Sequence, residues 1–232
     1  MKLSVLIPWD PRTDDPYRLA SFNWLLKRYE ETLYPAEVCV GTNADEPFSR
    51  SKARNAAFRK STGDYLLIAD ADTMFDASQV YMGMERVRST GTWVLPFSDY
   101  YNLAQHHSEQ VVAADPWMST GELGLPPTEY EHKIEDSPAG LLVMKREHFE
   151  AVGGYDERFV GWGYEDNAFR MALNVLVGGV KRLPGFDAFH LWHPVSPTDG
   201  FESPTIGHNR GLFRRYERAK TPSQMRKVVS GR

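Results

Sequence analysis

The sequence predicts an α/β protein with a Rossmann-like first half, and three observations lead to that prediction. From the N-terminus to residue 97, short apolar runs alternate with segments of helical periodicity. The run at residues 64–69 is almost continuously apolar, which is typical of a strand buried on both faces. Two aspartates follow that run directly, at the sheet edge where ligands bind in open α/β folds.

The first half contains four predicted strands and three predicted helices. The strands cover residues 2–7, 37–40, 64–69 and 92–97, and the helices cover residues 17–34, 50–60 and 77–89. The alternation stops at residue 98. Residues 98–138 hold several prolines, two adjacent histidines and few periodic apolar residues, so a long loop region is predicted there.

Regular patterns return in the second half. Strands are predicted at residues 140–144 and 186–192, and helices at 145–152, 166–177 and, rich in arginine, 208–219. Residues 194–207 are rich in turn formers and are expected to form a lid that orders over a bound ligand. The last dozen residues are expected to be frayed.

Composition limits the classes of protein that the chain can belong to. At 232 residues with 41% hydrophobic content, one compact domain is expected. A net charge of −4 does not favour a nucleic-acid binder, although it does not exclude a local basic patch on the surface. The single cysteine, Cys39, excludes an intramolecular disulfide and is expected to be a small core side chain. No apolar run is long enough for a membrane span, and a cytoplasmic location is expected.

Asp70 and Asp72 carry the sharpest chemical signal. Residues i and i+2 of extended backbone point to the same side, so both carboxylates are expected to project together from a strand end. Paired carboxylates repel unless a cation or a proton lies between them, and a hard divalent ion that also binds a diphosphate would suit them. The alternative is a turn or a helix cap, where aspartate is common.

The segment Gly161–Asp166 precedes a predicted helix and places acids beside an aromatic side chain. Glycines around Trp162 expose its face, and an exposed aromatic beside acids is a natural sugar platform. Glu165 and Asp166 lie at the helix N-terminus, where the macrodipole is expected to keep carboxylates ionised. The alternative is a helix cap with a core tryptophan.

Two further segments contain candidate functional residues, namely a pair of histidines and a basic helix start. His190 and His193 follow the last predicted strand and could supply an imidazole to a metal, with Mn²⁺ somewhat favoured over Mg²⁺, or could be structural. The N-terminal turn of the helix at residues 50–60 carries Arg50, Lys52 and Arg54, and these cations oppose the helix dipole unless an anion binds. A solvated charged turn is the competing interpretation of those cations.

Together these segments resemble the GT-A glycosyltransferases, specifically family-2-like enzymes and the β-1,4-galactosyltransferase type. The resemblance runs in the family's order from the strand end Ile7–Arg12 to His190. It rests on Phe48, Arg50, Lys52, Asn55 and Phe58, on Asp70 and Asp72, on Gly140, Lys145, Phe149, Gly153, Gly154 and Tyr155, and on Gly161–Asp166. Asn167 and Ala168 replace the aspartate run of the galactosyltransferases, residues 98–138 match nothing in the pattern, and a counterpart of the family's membrane anchor is not expected.

The resemblance implies a GT-A fold with a mixed central sheet flanked by helices, and a role for each matched residue. Pro8, Arg12, Arg50, Lys52, Asn55, Asp70 and Asp72 would bind the donor nucleotide. Asp70, Asp72, His190 and His193 would form the metal site, with Asp72 as the direct ligand. Trp162, Gly163 and Tyr164 would bind the acceptor, and Asp166 would be the catalytic base, with Glu165 as its competitor.

The predicted activity is therefore metal-dependent transfer of a sugar from a UDP-linked donor to an acceptor hydroxyl on a saccharide, a protein or another molecule. Retaining enzymes of this fold class often carry asparagine where this chain has Asp166, which favours inversion. Residues 1–97 would form the nucleotide-binding half of a single domain, residues 98–193 the acceptor and catalytic half, and residues 194–232 the lid and tail. A metal-dependent nucleotidyltransferase and a non-catalytic sugar-binding module are the alternatives.

Overall fold

Ten strands and eight helices form the part of the chain that the computed structural model describes, which is residues 1–125, 140–195, 200 and 203–231 with the backbone of residues 132–133. The strands are β1 (Leu3–Pro8), β2 (Glu37–Gly41), β3 (Tyr65–Ala69), β4 (Thr73–Met74), β5 (Val94–Leu95), β6 (Asp99–Asn102), β7 (His132–Lys133), β8 (Leu141–Lys145), β9 (Lys181–Arg182) and β10 (Asp187–His190). The helices are α1 (Pro16–Thr32), α2 (Arg50–Lys60), α3 (Ala77–Thr90), α4 (Gln105–Ala113), α5 (Arg146–Ala151), α6 (Glu165–Leu176), α7 (Ile206–Arg218) and α8 (Pro222–Ser230).

The larger sheet is mixed and has the strand order β2-β1-β3-β8-β5-β9. β1 pairs in parallel with β2 and β3, which confirms the parallel first half. β8 then lies antiparallel between β3 and β5. Of the strand predicted over residues 92–97, only the two residues of β5 are in strand conformation. β5 does not lie next to β3, because β8 from the second half of the chain takes that place.

Complete burial explains why β1 and β3, at the centre of the larger sheet, could be predicted from the sequence. Every residue of β1 and β3 is buried, including the residues that point to opposite faces of the sheet. Cys39 is also buried, as predicted. α2 lies unusually close to β2, because a Cβ at Gly41 would stand 1.9 Å from the carbonyl oxygen of Ala53. Glycine at position 41 therefore lets α2 approach the carboxyl ends of β1 and β2.

The prediction of a loop over residues 98–138 is wrong for much of its described part, which contains β6 and α4. Buried Arg28 anchors the segment after α4 by donating to the carbonyl oxygens of Pro116 and Met118 at 2.7 and 2.5 Å. Trp24 donates from Nε1 to the carbonyl of Ala114 at 2.8 Å. The apolar signal was weak because the buried face of α4 consists of His107, Ser108 and Val111.

The prediction of a frayed C-terminus is also wrong. Thr221 and Gln224 form a capping box at the start of α8, and Met225 is fully buried. Within the predicted lid over 194–207, residues 196–199, 201 and 202 lie outside the described part of the chain. None of the helices in the described ranges is long and apolar enough to cross a membrane.

Candidate functional site

The smaller sheet brings Asp72 beside two histidines that lie more than a hundred residues further along the chain. Its strand order is β4-β10-β6-β7, and β10 pairs antiparallel with β4 so that His190 is opposite Thr73. The backbone N–H of Leu191 donates to the carbonyl oxygen of Asp72 at 2.8 Å. The carboxyl end of β10 therefore reaches the turn that follows β3.

Asp72, His190 and His193 form a compact group of potential metal ligands. Oδ2 of Asp72 lies 3.3 Å from Nε2 of His193 and 3.6 Å from Nε2 of His190. Each residue offers one ligand atom, and these atoms lie within 4.8 Å of one another. Burial raises the pKa of Asp72, but the two imidazoles outweigh burial and hold that pKa well below its ordinary value.

The donor set fits a divalent transition-metal ion. One carboxylate and two imidazoles on converging chain segments are suitable ligands for Mn²⁺, and three protein ligands leave coordination positions for the oxygens of a diphosphate. The ligands come from the turn after β3 and from the end of β10, so the site depends on the pairing of β4 with β10. Asp70, also predicted to bind the metal, is not among these three.

Asp70 instead faces a buried cation from α2. Nη2 of Arg54 donates to Oδ1 of Asp70 at 2.7 Å, and Arg54 is only 1% exposed. The backbone N–H of Asp70 donates to the carbonyl oxygen of Gly140 at 3.0 Å. Gly140 has a φ of 91° and lies against the ring of Tyr100, where a Cβ would be 2.6 Å from the ring. Asp70 is thus fixed by α2 on one side and by the start of β8 on the other.

The same guanidinium also joins Asp70 to the first turn of α6. Nη1 of Arg54 lies 3.1 Å from Oδ1 of Asp166 and 3.6 Å from Oε1 of Glu165. The guanidinium carbon stands 4.8 Å from the centre of the Tyr155 ring, a favourable cation–π arrangement. One buried arginine therefore connects three carboxylates from two halves of the fold.

The electrostatics of Asp166 differ from the expectation drawn from the helix dipole. Burial raises the pKa of Asp166 to about 8, and the opposing effect of Arg54 does not cancel it. The prediction that the helix start keeps this carboxylate ionised at neutral pH is therefore wrong, because desolvation outweighs the dipole. The ionised form of a carboxyl group with a pKa in this range is a stronger base than an ordinary carboxylate, and its fraction grows as the pH approaches 8.

The loop at Gly161–Gly163 has a backbone that needs its glycines. Gly161 and Gly163 have φ values of 63° and 103°, and Tyr164 follows with a φ of 70°. Oε2 of Glu165 accepts a hydrogen bond from the backbone N–H of Gly163 at 3.0 Å. Glu165 is thereby used to shape the loop that carries Trp162, while Asp166 points to Arg54.

α7 holds this loop from the other side. Asn209, which is fully buried, donates from Nδ2 to the carbonyl oxygens of Val160 and Trp162 at 2.8 and 3.0 Å. Its Oδ1 accepts from the backbone N–H of Val160 at 3.1 Å. The rings of Tyr164 and Phe213 stack with centroids 5.2 Å apart. Trp162 is half-buried in this setting, with its backbone rather than its ring held by Asn209.

The three basic residues predicted to bind the donor lie in two places, one at the Gly161–Gly163 loop and two near Asp45. Arg50 lies at the Gly161–Gly163 loop, where its Nη1 donates to the carbonyl oxygen of Gly161 at 3.4 Å. Lys52 is half-exposed and pairs with Asp45 at 2.6 Å, and Arg12 binds Asp10 and the backbone of Asp45.

Pro8 and Asn55, also predicted to bind the donor, make contacts that hold elements of the fold together. Pro8 ends β1 beside Gly41, its partner in the parallel pairing with β2. The amide of Asn55 is engaged by the backbone of Tyr155, to which it donates and from which it accepts at 2.9 Å, and by Glu157. These bonds hold the turn after α5 against α2.

Three residues of the site were not singled out from the sequence. Arg54 was counted with the cations of a helix start, although its neighbours Ala53 and Ala57 on the buried face were a signal that it points inward. Ser108 of α4 accepts a hydrogen bond at Oγ from the backbone N–H of Trp192 at 2.7 Å, between the two histidines. Ser108 and Asn209 carried no such signal, because only the tertiary fold brings them to the loops that they hold.

Two family profiles match the sequence. The profile described as glycosyl transferase family 2 matches residues 26–153, which is more than half of the chain. The profile described as the N-terminal domain of galactosyltransferase matches residues 121–193, the part that contains the Gly161–Gly163 loop and both histidines. No curated protein matches the sequence.

Several solved structures resemble the fold. GalNAc-T7 with UDP, GalNAc and Mn²⁺ superposes with a TM-score of 0.51 at 15% identity, covering 99% of this chain and 54% of that one. The Drosophila β1,4-galactosyltransferase 7 complex with manganese, UDP-Gal and xylobiose gives 0.46 at 14% identity, covering 79% and 65%. TarS from S. aureus gives 0.48 at 12% identity, covering 82% and 60%. The chain thus spans less than two thirds of each of these proteins.

Proposed function

Because this chain belongs to glycosyl transferase family 2, we propose that it transfers a sugar from a UDP-linked donor to an acceptor hydroxyl, with a divalent metal and with inversion. Its fold is the GT-A fold, a mixed sheet flanked by helices. The observation that carries the metal-dependent part is the group formed by Asp72, His190 and His193 at the carboxyl edge of the sheet.

The donor side of the reaction is assigned to the turn after β3. A divalent ion such as Mn²⁺, bound by Asp72, His190 and His193, would neutralise charge that develops on the leaving diphosphate. Asp70 lies beside this group and is oriented by Arg54, so it is placed to bind the sugar or ribose of the donor. We assign Arg12, Arg50 and Lys52 to the anionic part of the donor, with residues 1–97 as the donor-binding half.

The acceptor side is assigned to the first turn of α6 and the loop before it. In a single displacement the acceptor oxygen bonds to the anomeric carbon while the bond to the diphosphate breaks. The acceptor proton then passes to the carboxylate of Asp166, whose raised pKa suits it to hold a proton near neutral pH. Trp162, Gly163 and Tyr164 form the adjoining surface for the acceptor. Glu165 is committed to the N–H of Gly163 and is the weaker candidate for the base.

A calorimetric titration of UDP tests the metal-dependent part. Wild type, Asp72→Ala and the control Asp64→Ala are each titrated with and without Mn²⁺. Asp64 is exposed and precedes β3 at the end opposite Asp70, so it controls for loss of a carboxylate. We expect Mn²⁺ to strengthen UDP binding in wild type and control but not in Asp72→Ala. Equal affinities in all titrations would reject the proposal.

Proton NMR of the first product tests inversion, once a screen of UDP-sugars has identified a donor that the protein consumes. The anomeric proton of the new linkage should have the configuration opposite to that in the donor. A product that keeps the donor's configuration would reject Asp166 as the base of a single displacement, even if the metal titrations behave as expected.

A further inference from the structure

The C-terminal helices concentrate positive charge on a chain that is acidic as a whole. Residues 206–232 contain eight arginines and lysines and one acidic residue, Glu217, whereas the full chain has a net charge of −4. The following basic side chains of this segment are exposed in the structure: Arg210, Arg214, Arg215, Arg218, Lys220, Arg226 and Lys227. We call this set the basic face.

Helix geometry places part of the basic face in a single row. α7 packs inward through Asn209, Leu212 and Tyr216. Arg210, Arg214 and Arg218 follow one another at intervals of four residues and therefore line up on the outer side of the helix. At a rise of 1.5 Å per residue the row is about 12 Å long. α8, which contacts α7, adds the exposed side chains of Arg226 and Lys227, with Met225 buried.

Within the described part of the chain, the basic face lacks ion pairs with carboxylates. Among the residues that the structure describes, none of its seven side chains lies within ion-pair distance of a carboxylate. Exposed cations elsewhere do pair, as Arg88 does with Glu85 at 2.6 Å. Like charges four residues apart on a helix repel each other. A row of this kind is therefore electrostatically unfavourable by itself and is relieved by a polyanion.

We propose that the basic face is a docking surface for the phosphate backbone of a nucleic acid duplex. Guanidinium groups bind phosphate through two parallel hydrogen bonds, and arginines predominate on this face. A stiff helix that presents charges in a row fits a polymer whose own charges repeat along a stiff axis. This inference concerns a partner and goes beyond the proposed sugar transfer.

The surroundings of the basic face argue against a membrane as its partner. A helix that lies in a bilayer interface needs a free apolar side, but the apolar sides of α7 and α8 are buried in the protein. In the described ranges, the exposed large hydrophobic residues all lie outside α7 and α8. The lack of exposed aromatic rings on the face also favours a duplex over a single strand, whose bases would stack on such rings.

The basic face begins next to the acceptor side of the candidate site. Asn209, one residue before Arg210, holds the carbonyl oxygen of Trp162, and Ile206 lies against Gly163, where a Cβ would be 2.8 Å from its Cδ1. A polymer bound along α7 would thus extend to the Gly161–Gly163 loop. If the proposed function holds, nucleic acid is then the molecule that carries or presents the acceptor hydroxyl.

The test is binding of a fluorescent 20-base-pair DNA duplex, followed by anisotropy between 50 and 200 mM KCl, with three proteins compared. They are wild type, the triple variant R210Q/R214Q/R218Q, and the matched triple variant K27Q/R86Q/K181Q, which removes three exposed cations elsewhere. We expect wild type to bind with a dissociation constant of about 10⁻⁴ to 10⁻⁶ M at physiological salt. The slope of log affinity against log salt should fall by about three in the first triple variant and stay unchanged in the control.

Three outcomes would overturn the proposal. They are no duplex binding by wild type, equal salt slopes in the two triple variants, or binding to phosphatidylserine vesicles without binding to DNA. If circular dichroism shows that R210Q/R214Q/R218Q is unfolded, the single variant Arg214→Gln replaces it. Its slope of log affinity against log salt should fall by about one. UDP affinity in the presence of Mn²⁺, measured on the same proteins, should not change, so failure of the docking surface and failure of the proposed function are distinguishable.

Discussion

Arg54 donates from Nη2 to Oδ1 of Asp70 at 2.7 Å. This contact separates the roles of the two aspartates of the Asp-x-Asp pair, because Asp72 faces His190 and His193 instead. Arg54 also lies beside Asp166, so a single cation links Asp70, which we propose for the donor side, to the proposed base. The geometry of both proposed binding regions therefore depends on one side chain of α2.

Replacing Arg54 should destabilise the fold strongly. Arg54→Met leaves three carboxylates without their buried cation, and removal of one partner from a buried ion pair typically costs about 3–5 kcal/mol. Arg54→Lys keeps the charge but loses the planar fork, and should cost less. Urea unfolding at pH 7 measures both effects. A free energy of unfolding for Arg54→Met equal to that of wild type would contradict this role.

The raised pKa of Asp166 predicts an unusual dependence of stability on pH. The folded-state pKa of about 8 lies above the ordinary value of 3.8, so between these values the folded state binds more protons than the unfolded state. The contribution of Asp166 to stability is therefore most favourable below about pH 4 and falls as the pH rises to 8. Asp166→Asn should gain stability relative to wild type over that range. Urea unfolding from pH 5 to 8 would refute this if the difference between the two proteins stayed constant.

The same pKa predicts the pH profile of sugar transfer. Only the ionised form of Asp166 can accept the acceptor's proton, so kcat/KM should rise with pH and level off near the pKa of about 8. Asp166→Asn should lose about a hundred- to ten-thousand-fold in turnover, and the rising arm with it. UDP affinity, measured by calorimetry, should stay near that of wild type. Retention of the rising arm in Asp166→Asn would assign it to another group.

Ser108 should position the metal ligands through the backbone between them. Its Oγ accepts from the N–H of Trp192 at 2.7 Å, and Ser108→Ala leaves that donor unsatisfied. Loss of a group that orients metal ligands typically lowers metal affinity about 10- to 100-fold. Titration of Mn²⁺ into the UDP complex measures this, with exposed Ser89→Ala of α3 as the control. Equal Mn²⁺ affinity in Ser108→Ala and the control would show that the bond does not matter for the site.

What the sequence could predict depended on how local each feature is. The helix Arg50–Lys60 was predicted with both of its bounds, because the segment is rich in alanine and a Ser-Thr-Gly sequence follows it. The buried strands β1 and β3 were visible from their apolar runs. Asp72 and the histidines were proposed from motifs, but the pairing of β4 with β10 that brings them together is a long-range contact that periodicity does not reveal.

The elements that escaped prediction bury few apolar residues. Met225 is the one fully buried residue of α8, and the buried residues of α4 are a histidine, a serine and one valine. The environment of Arg54 was hidden for a different reason. Its partners Glu165 and Asp166 lie more than a hundred residues away, so a buried cluster of charges had the sequence pattern of a solvated helix start. The pKa of Asp166 was misjudged for the same reason, because desolvation by distant segments exceeds the local effect of the helix dipole.

Asn209 should act as a positioning residue for the Gly161–Gly163 loop, which we assign to the acceptor. Its side chain makes three hydrogen bonds to the backbone of Val160 and Trp162 from a fully buried position. Asn209→Ala leaves buried backbone groups unsatisfied, which typically costs about 1–3 kcal/mol, and frees the Gly161–Gly163 loop without touching the metal ligands. Acceptor binding should weaken while UDP affinity in the presence of Mn²⁺ stays at the wild-type level.

Hydrogen exchange followed by mass spectrometry checks this prediction without knowledge of the acceptor. Peptides that cover residues 158–165 should take up deuterium faster in Asn209→Ala than in wild type, since the backbone N–H of Val160 loses its acceptor. Asn174→Ala is the matched control, because Asn174 also accepts from a backbone N–H, that of Val180 at 3.0 Å, but at the far end of α6. Equal uptake over residues 158–165 in the two variants would mean that Asn209 does not hold the loop. Faster uptake together with weaker UDP binding would mean that it supports the whole site rather than the acceptor side alone.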